Sequence, residues 1–540
     1  MESRLGARWA LLGLSVLALA FTASACTNTE YVEVEQPRFN PAPDSIAGFL
    51  GLYNVAENQT TCGNCHVNNQ TEWSGTRHAG AYATLANTPG AQAFCFGCHT
   101  VSENGNIYAA QGVPGGWNAV PDSVYHNVQC ENCHGPGLTH VTNPNTTNIP
   151  LASALVTPAQ QTCVACHSGA HHPFAEQWSQ SAHANLRNEP GGPAELPTSC
   201  GVSCHSGAQA MAKLSGNAPT NYIGKDTQFP ITCAVCHDPH AKTNSGQLRA
   251  PIDNPDVQAN LCSSCHTRSA AATPSFTINS RGAHASQGAV YFGEAAGWAP
   301  PGFVYDPDNP VQTSHVTANP RLCAGCHVVK FTTTDQSTGE EFTSVGHLFS
   351  PNPCKDANGL PTAGSCDYTA TARFWTGCTG CHGDATNAAN LFNSTRASIK
   401  VLVDILWIDT NHNTVLETTD GGLLPAVLAQ HPGTTVPATD SAYYCCTASA
   451  KDNSLSVAEG ALFNARMLGE DLYGHNDGSK GIHNPVLYRG LIAGSIEAVR
   501  ARYGLLSALS PTQEAAVRGA LSAAGIRYTP PGSPRQTASR

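Results

Sequence analysis

One short pattern, Cys-x-x-Cys-His, occurs eight times in this chain and constrains its fold more than any other feature. The copies are Cys62/Cys65/His66, Cys95/Cys98/His99, Cys130/Cys133/His134, Cys163/Cys166/His167, Cys233/Cys236/His237, Cys262/Cys265/His266, Cys323/Cys326/His327 and Cys378/Cys381/His382. The pattern is the attachment signature of c-type haem. Its two thiols reach the two vinyl groups on one porphyrin edge, and the adjacent histidine ligates the iron. Eight copies predict a chain that folds around covalently bound haem c.

A ninth copy is longer by one residue, because three residues separate Cys200 from Cys204 before His205. It lies between the fourth and fifth regular copies at the same pitch, so we predict haem attachment here too, and about nine haems in all. The alternative is a disulfide or a free cysteine pair that happens to precede a histidine. We number the sites 1 to 9 in chain order. Their proximal histidines are His66, His99, His134, His167, His205, His237, His266, His327 and His382.

The composition explains why haems would have to fill the interior. Only 12% of the residues are Asp, Glu, Lys or Arg, and the chain has 50 glycines and 36 prolines; about 25% charged residues are usual. The proximal histidines of sites 1 to 7 lie 29 to 38 residues apart, which leaves few large apolar residues per haem. We therefore expect a mainly α fold with extensive loops, a multihaem cytochrome c fold with stacked haems as its core and a helical C-terminal region.

Composition shifts along the chain suggest six segments. They are a signal peptide (1–25), an N-terminal linker (26–58), a nine-haem domain (59–395), a non-haem insertion (396–455), a helical C-terminal region that packs on the haem domain (456–528) and a flexible tail (529–540). Helix signals are clearest at Asn484-Pro485, for a helix to about Tyr503, and at Ser510-Pro511. A third helix is expected from about Ser456 to Asp471.

The N-terminus predicts export. Arg4 and Arg8 precede an apolar run to about Phe21, and Ala23-Ser24-Ala25 offers a cleavage site. Cys26 then follows as in a bacterial lipoprotein box, although ordinary cleavage with an incidental cysteine is the alternative. We expect the periplasm or the outer membrane, possibly the cell surface, with membrane contact only through this lipid anchor. The formal net charge of −11 argues against a nucleic-acid partner.

The second axial ligands of the irons come from the 14 histidines outside the motifs, because the chain has only three methionines. Most haems should therefore be bis-histidine. The distal candidates are His78, His126, His140, His183, His240, His284, His315, His347 and His483; His171, His172, His412, His431 and His475 are less favoured. For each of these histidines, an exposed or propionate-binding role is the alternative.

Four cysteines remain besides Cys26 and the haem sites. They are Cys354, Cys366, Cys445 and Cys446, which allow three disulfide pairings in an oxidising compartment. A bond between Cys354 and Cys366 would close a short loop and is favoured, and zinc binding by the four is less favoured.

Several phrases resemble the multihaem cytochrome c family typified by cytochrome c-552/4, which is related to hydroxylamine oxidoreductase and pentahaem nitrite reductase. They are the WSx[ST]xHA pair at Trp73 and Trp178, the run from Cys130 to His140, the run from Thr232 to His240, and Gly481 to Pro485. The likeness covers about 59–395 and 456–505. It implies that His78, His140, His183, His240 and His483 are distal ligands. The CxxCK motif of the nitrite reductases is missing from the sequence.

The favoured function is electron transfer along the haems to or from a redox protein with a basic docking face, with no catalytic residue. The alternative is an oxidoreductase that acts on a small nitrogen or sulfur compound at one five-coordinate haem. For that alternative, the first suspect is site 5, because its longer motif could tilt the ring.

Overall fold

The computed structural model describes residues 37–110, 112–185, 202–216, 221–276, 282–303, 310–430, 455–469 and 477–525. The chain divides into two compact units, Met1–Asn40 and Pro41–Arg540. The expectations for the signal peptide, Cys26, Cys200, Cys445, Cys446, His431, His475 and the tail lie outside the described residues. Among those described, no helix is both long and apolar enough to span a membrane.

Helices separated by loops make up most of the described chain, as expected. The α-helices are α1 Val67–Ser74, α2 Ala81–Ala86, α3 Phe96–His99, α4 Cys130–His134, α5 Leu138–Thr142, α6 Phe174–Gln180, α7 Val202–His205, α8 Gly207–Ser215, α9 Cys233–Cys236, α10 Gln287–Phe292, α11 Ser314–Thr317, α12 Leu322–His327, α13 Thr376–His382, α14 Ala385–Leu406, α15 Leu423–Gln430, α16 Val457–Leu468, α17 Pro485–Tyr503 and α18 Pro511–Ala523. Short 3-10 turns cover Cys62–Asn64, His78–Gly80, Ala93–Cys95, Ser123–Tyr125 and Ser245–Gln247.

Sheet is limited, in the described residues, to three antiparallel two-stranded ribbons. They pair β1 Leu52–Asn54 with β2 Gln59–Thr60, β3 Phe331–Thr334 with β4 Glu341–Ser344, and β5 Cys354–Lys355 with β6 Pro361–Thr362. In the longest ribbon, Phe331 pairs with Ser344 and Thr334 with Glu341. Each ribbon closes a local loop.

The helix boundaries predicted at the C-terminus are confirmed. The Asn484 side chain accepts the Leu487 N–H at 3.0 Å, and Pro485 is the first residue of α17. The helix ends at Gly504, whose φ of +69° is readily adopted only by glycine. Ser510 caps α18 in the same way, through the Gln513 N–H. The segment limit expected at 395 falls inside α14.

The C-terminal helices have an ordinary aliphatic core, which the composition did not predict. Leu487, Leu491, Ile492, Ile496 and Val499 of α17 have no exposed surface, and they pack against side chains of α14, α15, α16 and α18. The motif-bearing segments before α14 contain only small apolar clusters, such as Phe49 with Val101 and Tyr125. The shortage of side-chain core is therefore confined to the segments that carry the Cys-x-x-Cys-His motifs.

A disulfide joins Cys354 to Cys366, so the favoured pairing is confirmed. The guanidinium of Arg373, which is 8% exposed, donates to the Cys366 carbonyl at 2.7 Å and to the Asn352 carbonyl at 2.9 Å. The disulfide and this arginine together hold the loop just before α13, the helix of site 9.

Candidate haem array

One turn of helix or tight turn presents the first cysteine and the histidine of each motif on the same side. The His66 N–H donates to the Cys62 carbonyl at 2.9 Å, and His167 and His266 make the same bond to Cys163 and Cys262 at 3.0 Å. Residues four apart share one face of a helical turn. The local fold therefore points thiol and imidazole to one side, as haem attachment requires.

Hydrogen bonds orient several proximal imidazoles through Nδ1. This atom lies 2.7 Å from the Pro150 carbonyl in His134 and 2.9 Å from the Phe349 carbonyl in His327. In His99 it lies 3.0 Å from the Ala81 carbonyl. A histidine that donates from Nδ1 to a carbonyl keeps Nε2 as a free lone pair for a metal. The backbone thus selects the tautomer that can ligate iron.

Seven proximal histidines face a second histidine across a gap of nearly constant width. The pairs and their centroid separations are His167/His78 (6.2 Å), His134/His240 (6.1 Å), His266/His183 (6.1 Å), His205/His284 (6.0 Å), His237/His347 (6.4 Å), His382/His315 (6.1 Å) and His327/His483 (6.1 Å). Two imidazoles bound to one metal at about 2 Å each have their ring centres roughly 6 Å apart. Each pair therefore fits one iron between its rings, and all seven partners are among the distal candidates.

Known proteins are similar to parts of this chain. The family described as cytochrome c554 and c-prime matches residues 61–135, and the doubled CXXCH motif family matches residues 230–271. The multiheme cytochrome MtrA of Shewanella baltica (strain OS185) is 26% identical over 184 residues, which are 32% of this chain and 51% of that protein. The chain thus spans about half the length of this curated relative. This chain is a multihaem c-type cytochrome.

A solved structure, that of the outer cell wall cytochrome OcwA, aligns with the cytochrome at a TM-score of 0.48 and 15% identity. The alignment covers 84% of this chain and 100% of that chain.

Burial keeps the paired histidines of the cytochrome in the form that binds a metal. Burial, followed by the influence of neighbouring histidines, lowers the pKa of His167, His183 and His327 to about 4. An imidazole with such a pKa is neutral at pH 7, and only the neutral ring can ligate iron. The donor chemistry of the pairs therefore fits haem iron.

His483 differs from the other paired histidines in its electrostatics. Burial alone would lower its pKa, but the charge of Asp477 and a hydrogen bond to that carboxylate outweigh burial and raise the pKa. His483 Nδ1 lies 2.6 Å from Asp477 Oδ1, and the Asp477 side chain has no exposed surface. Nothing in the sequence pattern marked Asp477 as part of site 8.

Sites 1 and 2 are less complete in ring contacts. His126, a distal candidate, lies flat against Tyr82 with the ring centres 3.5 Å apart, and 5.3 Å from the Trp117 ring. The less favoured His172 instead lies near His99, which contributes, after burial, to lowering the His172 pKa. His140 Nδ1 lies 3.2 Å from Asn148 Oδ1, and the distal role of His140 remains a prediction.

The first WSx[ST]xHA phrase holds a distal histidine beside a later motif. Trp73 Nε1 donates to the Val128 carbonyl at 2.9 Å, and the Val128 N–H donates to the His78 carbonyl at 3.1 Å. Val128 stands two residues before Cys130, the first cysteine of site 3. The phrase therefore anchors the segment of site 3 while His78 faces site 4.

The second phrase repeats these bonds. Trp178 Nε1 donates to the Ile231 carbonyl at 2.8 Å, and the Ile231 N–H donates to the His183 carbonyl at 3.1 Å. Ile231 stands two residues before Cys233, the first cysteine of site 6. The shared sequence thus reflects a shared tertiary contact, displaced by three sites along the chain.

Proposed function

We propose that this cytochrome is an exported electron carrier with about nine covalently bound haems, mostly bis-histidine, that exchanges electrons with a redox partner. The observation that carries the proposal is the set of seven histidine pairs with ring centres 6.0 to 6.4 Å apart. Haem supplies an iron that changes oxidation state by one electron. Two imidazoles occupy both axial positions, so no coordination position stays open for a substrate.

The alternative, catalysis at site 5, has less support. The His284 ring stands opposite His205 with centres 6.0 Å apart and planes only 16° apart. His284 is 7% exposed. A ligand in that position would block the binding of nitrite or hydroxylamine to the iron of site 5.

For site 2 we propose His172 as the distal ligand instead of His126. The His126 ring is held by its stack on Tyr82, whereas His172 is close to His99. His172→Ala should then create one high-spin haem, and His126→Ala should leave the low-spin spectrum unchanged. The opposite result would restore His126.

The partner is expected to present a basic docking face. The chain carries a formal charge of −11, and haem propionates add up to about two negative charges each. Association should therefore weaken as salt is raised. The signal-like N-terminus supports export, and Cys26 supports a lipid anchor at the outer membrane.

A ligand-binding titration of the haem-loaded protein tests the proposed function. The spectrum of the ferric protein should be mainly low-spin, and cyanide, nitrite and hydroxylamine should bind to none of the seven paired sites. His284→Ala serves as the positive control, because it opens one axial position and should give a high-spin, cyanide-binding haem. High-spin signals from most haems of the unmodified protein would refute electron carriage by bis-histidine haems.

A further inference from the structure

Contacts between cysteines of different motifs reveal which attachment sites are neighbours. Site 1 touches site 3 through the thiols of Cys62 and Cys130. Cys130 Sγ also lies 3.9 Å from Oγ1 of Thr60, two residues before Cys62. Site 2 touches site 4 through the thiols of Cys98 and Cys166. Neighbouring sites in space are therefore two apart in sequence.

The same contacts recur three sites later. Site 4 touches site 6 through the thiols of Cys163 and Cys233. Site 5 touches site 7 through Cys204 and Cys265, and the Lys213 ammonium of α8 donates to the Ser264 carbonyl beside Cys265. These contacts repeat the first set, as the two tryptophan-anchored phrases do.

Weaker proximities join these pairs into one series. Cys133 of site 3 acts electrostatically on Cys163 of site 4, and Cys236 of site 6 acts in the same way on Cys262 of site 7. Histidine rings agree, because Phe349 lies 4.4 Å from His183 of site 7 and 5.4 Å from His347 of site 6.

The series continues through sites 8 and 9. The thiols of Cys262 and Cys323 join site 7 to site 8. Helix α13 of site 9 packs closely on α12 of site 8, since a Cβ added at Gly377 would lie 3.0 Å from the Cys326 carbonyl oxygen. The segments of sites 2 and 3 are also neighbours, where Asn132 donates to the Thr100 carbonyl at 2.8 Å.

We infer that the attachment sites form a branched series, in which sites 1, 3, 4, 6, 7, 8 and 9 follow one another and sites 2 and 5 are side branches on sites 4 and 7. The two branches hold equivalent places in a repeat of three sites. Trp178 follows Trp73 by 105 residues and Cys233 follows Cys130 by 103, so the repeat spans roughly that length.

The consequence for electron transfer rests on the proposed function. A branched series has four ends, at sites 1, 2, 5 and 9, so electrons can be exchanged with partners at more than two places. Among the described attachment cysteines, Cys65 of site 1 and Cys381 of site 9 are exposed and the others are partly covered. The ends of the longest path are therefore the best placed to meet a partner.

Marked haems can count neighbours without any assay of turnover. A methionine ligand raises the potential of its haem, so the marked haem accepts the first electron, becomes diamagnetic and no longer broadens the electron paramagnetic resonance (EPR) signals of adjacent ferric haems. The marking variants are His284→Met for site 5 and His183→Met for site 7. The number of other signals that sharpen on adding one electron equals the number of neighbours.

The branched series predicts one sharpened signal for His284→Met and three for His183→Met. A linear array in sequence order predicts two for both, and that result, or equal numbers of any size, would overturn the inference. Intact mass checks that each variant keeps all its haems. Should His183→Met lose one, His78→Met marks site 4, which also requires three; His284→Ala, which makes site 5 high-spin, replaces His284→Met. Loss of all haem-linked signals in the unmodified protein would instead contradict the proposed function.

Discussion

The buried carboxylate behind site 8 gives a sharp quantitative prediction. Asp477 Oδ1 lies 2.6 Å from His483 Nδ1, whose ring stands opposite His327. A negative charge in this place stabilises ferric iron more than ferrous iron and makes the imidazole a stronger donor. Asp477→Asn keeps the size of the side chain but removes the charge, so it should raise the reduction potential of one haem.

The magnitude follows from the geometry. The bond of 2.6 Å, the width of the ring and a metal bond of about 2 Å place the carboxylate roughly 6 to 7 Å from the iron. Coulomb's law with an effective dielectric constant of about 20 then gives about 2.5 kcal/mol. At about 59 mV per tenfold change in a one-electron equilibrium, the expected increase is about 100 mV.

Spectroelectrochemical titration with EPR detection of each ferric signal measures this shift. One signal should move by about 100 mV, and salt should change the shift little because the Asp477 side chain has no exposed surface. Asp238→Asn is the matched control, since Asp238 lies 3.5 Å from His240 of site 3 but also pairs with Arg249 at 2.9 Å and is partly exposed. Its shift should be less than about half as large.

Two results would refute the reasoning. A potential that falls or stays unchanged in Asp477→Asn would mean that the carboxylate does not act on an iron at site 8. Equal shifts in the two variants would mean that burial of the charge does not set its influence. A normal haem count by intact mass would exclude misassembly as the cause of either result.

Three further predictions concern assembly and stability. Intact mass should show nine haems of roughly 616 Da each, and Cys204→Ser should weaken attachment at site 5; an unmodified protein with eight haems would remove that site. Leu491→Ala, at a position with no exposed surface, should lower the free energy of unfolding by about 2 to 5 kcal/mol, whereas Leu506→Ala, at a residue 62% exposed, should change little in calorimetry. Replacing Cys354 and Cys366 together by alanine opens a disulfide loop with a sequence separation of 12 and should cost about 2 to 4 kcal/mol; an unchanged thermal transition would contradict this.

Local features were predictable because they depend on short stretches of chain. The spacing of Cys62, Cys65 and His66 is dictated by the edge of one porphyrin, and the fold brings the thiol and imidazole to one side with a single turn. The caps of α17 and α18 were equally predictable, because Asn484 and Ser510 bond N–H groups three residues away. Wherever partners lie within about one helical turn, the sequence alone was sufficient.

Tertiary structure decided which histidine faces which site. His483 meets His327 and His78 meets His167, although each pair is widely separated in sequence, and no periodicity encodes a contact of that kind. Spacing likewise did not separate His126 from His172; the stack on Tyr82 did. Pairing across long loops depends on how all the segments pack together, so the order of the sites in space, with its two branches, is a property of the fold and not of the motif.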